Sequence, residues 1–212
     1  MGGQIVSIYR EPDIRFFADE YERYKSEIER INKSLIERKL PLYEATEAAI
    51  PMPINPEFLL ELRRSEARRF KLLAAKFIKN SNWVLPSDQK DYDPISDIEY
   101  QQICRDRKSH IAGMPDVHGY YVPVSFNSLS FPPYPILGSS ITFQSELREM
   151  ALKLNFNLLE LDSYASNPRM PENTRIEELR KEVFGEDKGV LLSLYAIATA
   201  SVCYRRIIYL GE

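Results

Sequence analysis

The segment that most constrains this chain is its C-terminal one, from about Gly189 to Tyr209. On a helical projection Val190, Leu191, Leu194, Tyr195, Ile197, Ala198, Val202 and Ile207 cover most of the circumference, so no polar face is left to meet water. Such a helix is stable only when other elements surround it, and the segment predicts a central core helix with the rest of the chain packed round it. The sequence has no unbroken apolar run of about eighteen residues, so a membrane-spanning helix is not expected.

The 212 residues, 44% apolar and 28% charged, suffice for one domain with a real core. We expect a helical N-terminal part over about 12–110 and a strand-containing C-terminal part over about 111–212. Two cysteines, Cys104 and Cys203, are too few for a secreted disulfide scaffold. The stretch Met1 to Ser7 has neither the basic start nor the apolar centre of a signal peptide, so a cytoplasmic location is expected.

Helical spacing recurs upstream. Ile14, Phe17, Tyr21, Tyr24, Ile28, Ile31 and Leu35 form one stripe of a helix over about 14–40, with Asp13 as N-cap and Pro41 as stop. The stripe packs on its own domain, or, as the alternative, forms a heptad seam for a dimer, so the chain is expected to be a monomer or a dimer through the 14–40 helix. Pro41, Pro51, Pro53 and Pro56 mark an extended strap. Asn55 and Pro56 then predict a second helix running to about Asn80, with Leu59, Leu62, Phe70, Leu73 and Phe77 buried. Asp93-Pro94 opens a third, and Ser139 or Ser140 caps a fourth that carries Phe143, Leu147, Met150 and Leu154. Phe156 to Leu161 reads as a short strand, and Asn173 or Thr174 caps a short helix ending at Gly185. Tyr120 to Phe126, rich in β-formers, is the clearest strand; Pro123 inside it makes it an edge or a bulged strand. The fold class is therefore α+β, mainly α: helices around an apolar C-terminal helix, with a small sheet that includes residues 120–126.

Charge is distributed unevenly although the formal net is only −3. In the second helix Arg63, Arg64, Arg68, Arg69, Lys71, Lys76 and Lys79 oppose Glu57, Glu61 and Glu66, a net of 7 − 3 = +4. From Pro86 to Tyr100, Asp88, Asp91, Asp93, Asp97 and Glu99 oppose Lys90 alone, a net of 1 − 5 = −4. The basic helix could meet phosphates, but the negative total and the lack of aromatic residues among its cations favour a solvated face paired with nearby carboxylates, so nucleic acid is not the expected partner. The acidic stretch can imitate a phosphate backbone and occupy the basic site of a protein; the plainer alternative is a solvated loop.

No chemistry-bearing constellation stands out. Cys104, His110, Asp116 and His118 lie in one segment but match no common zinc spacing, so no metal and no cofactor are expected. Gly138-Ser139-Ser140 lacks the flanking glycines of a nucleophile elbow and reads as a turn and N-cap. No P-loop or dinucleotide fingerprint is present.

Asp116-Val117-His118-Gly119-Tyr120-Tyr121-Val122-Pro123-Val124-Ser125-Phe126, followed by Ile136-Leu137-Gly138-Ser139-Ser140 and Glu146-Leu147 and preceded by Pro41-Leu42-Tyr43-Glu44 and Leu62-Arg63-Arg64, resembles a set of uncharacterised bacterial proteins with a GYYVPV strand and an LGSS helix start. The resemblance implies a small cytosolic protein that binds a partner or neutralises a toxin. It carries no established activity and no catalytic residues.

Two readings follow. The first is a cytosolic protein-binding module without catalysis, of immunity type, using Asp88, Asp91, Asp93 and Asp97 or the Tyr120-Tyr121 strand. The second is a small-ligand binder or unusual enzyme with a pocket between Tyr120-Tyr121 and the helix start at Ser139 and Ser140.

Overall fold

The computed structural model describes residues 3–8, 18–44, 58–80, 82–83, 96–106, 108–115, 118–127, 129 and 136–211. In chain order they form β1 (Gly3–Ile8), α1 (Ala18–Glu37), β2 (Leu59–Arg63), α2 (Arg64–Lys79), α3 (Ile98–Asp106), β3 (Gly119–Val122), β4 (Ile136–Ser139), α4 (Ser140–Lys153), α5 (Leu158–Ser166), α6 (Asn173–Leu179), α7 (Gly185–Tyr204) and β5 (Ile208–Gly211). The class is α+β and mainly α, as the sequence predicts.

α7 is the centre. Every residue from Gly189 to Ser201 is buried, and α2, α4, α5, α6 and strands β1, β2 and β5 pack round it. Its start depends on Gly185. A methyl there would overlap the carbonyl oxygen of Leu179, so only glycine lets α7 begin against the end of α6. Gly185 therefore opens α7, where the sequence reading had it closing the preceding helix; α6 stops at Leu179. The apolar run is also not helical to Tyr209. Arg205 turns left-handed (φ 52°) and Ile208–Gly211 becomes β5, because β1 and β3 offer its backbone two ladders.

The sheet has the order β2-β1-β5-β3-β4. All neighbours are antiparallel except β3 and β4, which run parallel. Val6, Ile8, Leu62, Tyr121, Ile208 and Leu210 enter the main core beside α7. The alternate residues Tyr120, Val122 and Leu137 face the other way, where Ile31 and Leu35 of α1 cover them. Of the α1 stripe, Tyr24, Ile31 and Leu35 are thus buried within the chain, at 4%, 1% and 0% exposed, which favours packing on its own domain, while Tyr21 and Ile28 are half-buried. Its first part, Asp13 to Phe17, lies outside the described residues.

Three further expectations are corrected. The second helix begins at Arg64, since residues 59–63 pair with β1 (Leu62 with Gln4, Leu60 with Val6). Within that strand Leu62 is buried and Leu59 is exposed. The C-terminal limit at Asn80 holds. Phe156 to Leu161 is not a strand: Asn157 caps α5 by accepting the Leu159 N–H at 3.0 Å. Finally, β3 is neither an edge nor bulged by Pro123. It lies between β5 and β4 with all four residues buried, and Pro123 stands just past its end, where no ladder bond is required of it.

Candidate protein-binding surface

The strand and helix start singled out in the sequence come together as core. β3 and β4 pair Tyr121 with Gly138 and Val122 with Ser139. Tyr121 is wholly buried; its ring meets Phe143 at 4.7 Å, edge to face, and its hydroxyl donates to the carbonyl of His110. Gly138 is where the ring passes, since a methyl there would overlap it. Ser139 is the N-cap of α4, its Oγ accepting the Thr142 N–H at 3.1 Å. Ser140 Oγ accepts from Ser201 at 2.8 Å, tying α4 to α7. Tyr120, Tyr121, Ser139 and Ser140 are each at most 2% exposed, so the space proposed for a ligand pocket is filled by side chains. The Tyr120 ring does meet Tyr209, tilted at 5.7 Å, and His118, edge to face at 5.2 Å, but within the layer under α1.

His110 is also a core residue, 0% exposed. Glu146 accepts from the N–H groups of His110 and Ile111 at 2.8 and 3.0 Å and from the Ser109 hydroxyl at 2.8 Å, and lies 3.0 Å from His110 Nδ1. One carboxylate thus clamps the 109–111 turn to α4. A carboxylate–imidazole pair can serve as a base; here the ring is buried against Tyr121 and Phe126. Asp116 and the Cys104 side chain lie outside the described residues, and among those described no group of three metal-ligating side chains converges.

Of the acidic stretch, Asp88, Asp91 and Asp93 lie outside the described residues. Asp97 is buried, not presented to a partner: it caps α3 by accepting the Tyr100 N–H at 3.0 Å and takes Lys76 Nζ at 2.8 Å. Glu99 holds Lys76 at 2.9 Å and Lys79 at 3.3 Å. Burial would lower the Lys76 ammonium, but the hydrogen bonds to Asp97 and Glu99 raise it above its ordinary value. The cations of α2 are therefore engaged. Arg69 joins them, bridging Glu186 and Asp187 at the start of α7. Burial pushes the Asp187 carboxyl above its ordinary range despite that guanidinium. The carboxylates of α5 are neutralised in the same manner, Glu160 by Arg175 of α6 at 2.7 Å and Asp162 by Arg148 of α4.

The first half of α1 keeps an acidic surplus that its i,i+3 pairs, Glu22 with Lys25 at 3.9 Å and Glu27 with Arg30 at 2.7 Å, do not cancel. Over 18–29, Asp19, Glu20, Glu22, Glu27 and Glu29 oppose Arg23 and Lys25, a net of 2 − 5 = −3. Asp19, Glu22 and Glu29 are exposed and project away from the buried Tyr24 and Ile31. At a rise of about 1.5 Å per residue they span about 15 Å, against one charge per about 3.4 Å along a DNA strand. α1 alone is too sparse to match a phosphate row. Sequence reading missed this half-helix because it weighed only the buried stripe; the signal was the acidic surplus on the opposite face.

A family model described as "Putative DNA-mimic protein" matches residues 7–210. The chain belongs to this family. Neither a curated protein nor a solved structure matches it. A protein that imitates DNA acts by binding proteins, so the protein-binding role expected from the sequence stands. The partner expectation is corrected. Nucleic acid had been set aside, whereas for a DNA-mimic family DNA is the surface imitated and the partner is a protein that binds DNA. Among the described residues no helix is long and apolar enough to cross a membrane.

Proposed function

We propose that this chain binds a DNA-binding protein at the site that protein offers to DNA, with carboxylates standing where DNA has phosphates. The observation that carries the reading is the match to one DNA-mimic family model across residues 7–210. Two features of charge support it. Residues 86–100 hold five carboxylates against one lysine, and two of the five, Asp97 and Glu99, are engaged by Lys76 and Lys79. Asp88, Asp91 and Asp93, with Asp19, Glu22 and Glu29 of α1, are the carboxylates assigned to the partner. Complementary charge of this kind steers association and weakens as salt rises.

The test is competition. Proteins retained by the immobilised chain from a nuclease-treated extract of the cells that encode it are expected to be DNA-binding and to elute with double-stranded DNA. Asp88→Asn/Asp91→Asn/Asp93→Asn should retain less of them. Retention that excess DNA leaves untouched would overturn the reading. In its finer form the protein is cytosolic and of immunity type, and its target is a toxin acting on DNA. Protection of cells that co-express such a toxin supports that form; a retained set containing only the cell's own chromosomal proteins removes it.

A further inference from the structure

Cations are used differently in different parts of this molecule. Arg69, Lys76, Arg148 and Arg175 are each held by a carboxylate. At the C-terminal end of α1 the pattern breaks. Lys33, Arg38, Lys39, Arg205 and Arg206 gather there, and among the described residues no carboxylate forms an ion pair with any of them.

Two elements supply these cations, and one tyrosine joins them. Lys39 turns left-handed (φ 57°), and the N–H groups of Lys39 and Leu40 close α1 on the carbonyls of Ile36 and Leu35. The chain then runs back along the helix. The Asn32 side chain accepts the Tyr43 N–H at 2.8 Å and donates to the Tyr43 carbonyl at 3.0 Å. The Tyr43 hydroxyl donates to the Arg205 carbonyl at 3.1 Å, and Ile207 packs in one cluster with Leu35, Leu40 and Tyr43. Arg205 and Arg206, which follow α7, are thereby brought to the last turn of α1. Lys33, Lys39 and Arg205 are exposed. Glu37 and Glu44 oppose the five cations, a net of 5 − 2 = +3.

The first half of α1 carries −3. A helix of 20 residues, about 30 Å long, therefore separates two poles of equal and opposite charge. The helix macrodipole favours cations in the last turn of α1, but it does not account for Arg205 and Arg206, which belong to another element.

We propose that the basic pole rests on the phosphate backbone of DNA, beside the protein site for which the carboxylates compete. The proposal rests on the DNA-mimic reading and adds to it a direct contact with DNA. Unpaired cations from two elements fit a polyanion, and a DNA-binding protein brings one with it, since phosphate contacts hold it on the duplex even away from its specific sequence. A chain acidic at every surface would be repelled by that duplex as it approached. A chain with a basic pole gains a foothold on the flanking phosphates while its acidic pole faces the protein.

The probe is a short fluorescein-labelled DNA duplex, titrated with the full chain by anisotropy over a range of salt. The chain should bind without sequence preference. With five phosphates neutralised, binding should loosen about 500-fold between about 50 and about 200 mM salt, at a logarithmic slope of about −0.9 per phosphate. Lys33→Gln/Lys39→Gln/Arg205→Gln should flatten that slope by about 2.7. Arg105→Gln/Lys153→Gln/Lys181→Gln makes the same change in net charge elsewhere and should leave the slope as it is. All six side chains are exposed, so neither variant should unfold. A parent that does not bind the duplex at low salt, equal losses in the two variants, or capture of the parent by anionic lipid vesicles in place of the duplex would overturn the proposal. The DNA-mimic reading would then stand, because it is judged separately, by the proteins retained and their release by DNA. Duplex binding without retention of any DNA-binding protein would remove that reading, and with it the role given to this contact.

Discussion

Gly138→Ala is the sharpest test of how the two most recognisable stretches of this sequence are joined. Gly138 lies opposite Tyr121 in the β3–β4 ladder. A methyl on it would overlap Cδ1 and Cε1 of the Tyr121 ring and come within 3.0 Å of Leu129 Cδ2. Replacing glycine by alanine in an unobstructed position stabilises a fold by about 0.4–1 kcal/mol, because the unfolded chain loses freedom. Here the ring cannot yield. It is 0% exposed, packed on Phe143, and held through its hydroxyl to the His110 carbonyl. Overpacking of this kind costs about 1–3 kcal/mol. The overlap wins, and the net loss of about 1–2 kcal/mol should lower the melting temperature by roughly 2–8 °C for a chain of this size. Thermal and urea unfolding of Gly138→Ala, Tyr121→Leu and the double variant measure it. In the Tyr121→Leu background the alanine should cost nothing or stabilise, giving a coupling between the two sites. An unchanged or raised melting temperature for Gly138→Ala alone, or strictly additive losses in the double variant, would refute the reasoning.

Two more outcomes follow from the geometry. Arg205→Gly should raise stability by about 0.5–1 kcal/mol in urea unfolding, because Arg205 holds φ 52° at the end of α7, where an L side chain is penalised, and its side chain is exposed; a loss of stability would show that its side chain matters more than its backbone. Asp187 bears on pH. Its folded carboxyl lies above the ordinary value through burial, so the folded state keeps that proton longer than the unfolded chain, and this contribution to stability is present below the unfolded value and lost as pH rises through the folded one. Urea midpoints measured upward from about pH 4 should therefore fall more steeply for the parent than for Asp187→Asn, which has no proton to lose; equal slopes would contradict the assignment.

The elements legible in the sequence are those whose evidence is local. The apolar circumference of 190–201 identifies a core helix from local sequence alone, because a helix with no polar face must be buried and its apolar run is too short to span a membrane. Ser139 is legible as an N-cap because its partner, the Thr142 N–H, is three residues away. The surplus of carboxylates over 86–100 needs only counting, and the idea that such a run imitates phosphates needs only their charge.

Tertiary structure decided the rest, and the reason is distance along the chain. Residues 59–63 and 208–211 carry apolar residues that suit a helix, and became strands because β1, at the far N-terminus, supplies the ladder for both. Pro123 made β3 look like an edge until Ile136–Ser139, a run too short to announce itself, paired on its outer side. The same holds at the surface. Sequence placed Asp97 among partner-facing carboxylates, whereas Lys76, twenty-one residues upstream (97 − 76 = 21), draws it into the interior. Which charges a chain possesses is written in its sequence; which remain to meet a partner depends on ion pairs that form only when separate helices meet, since each pair is made by folding and not by local spacing.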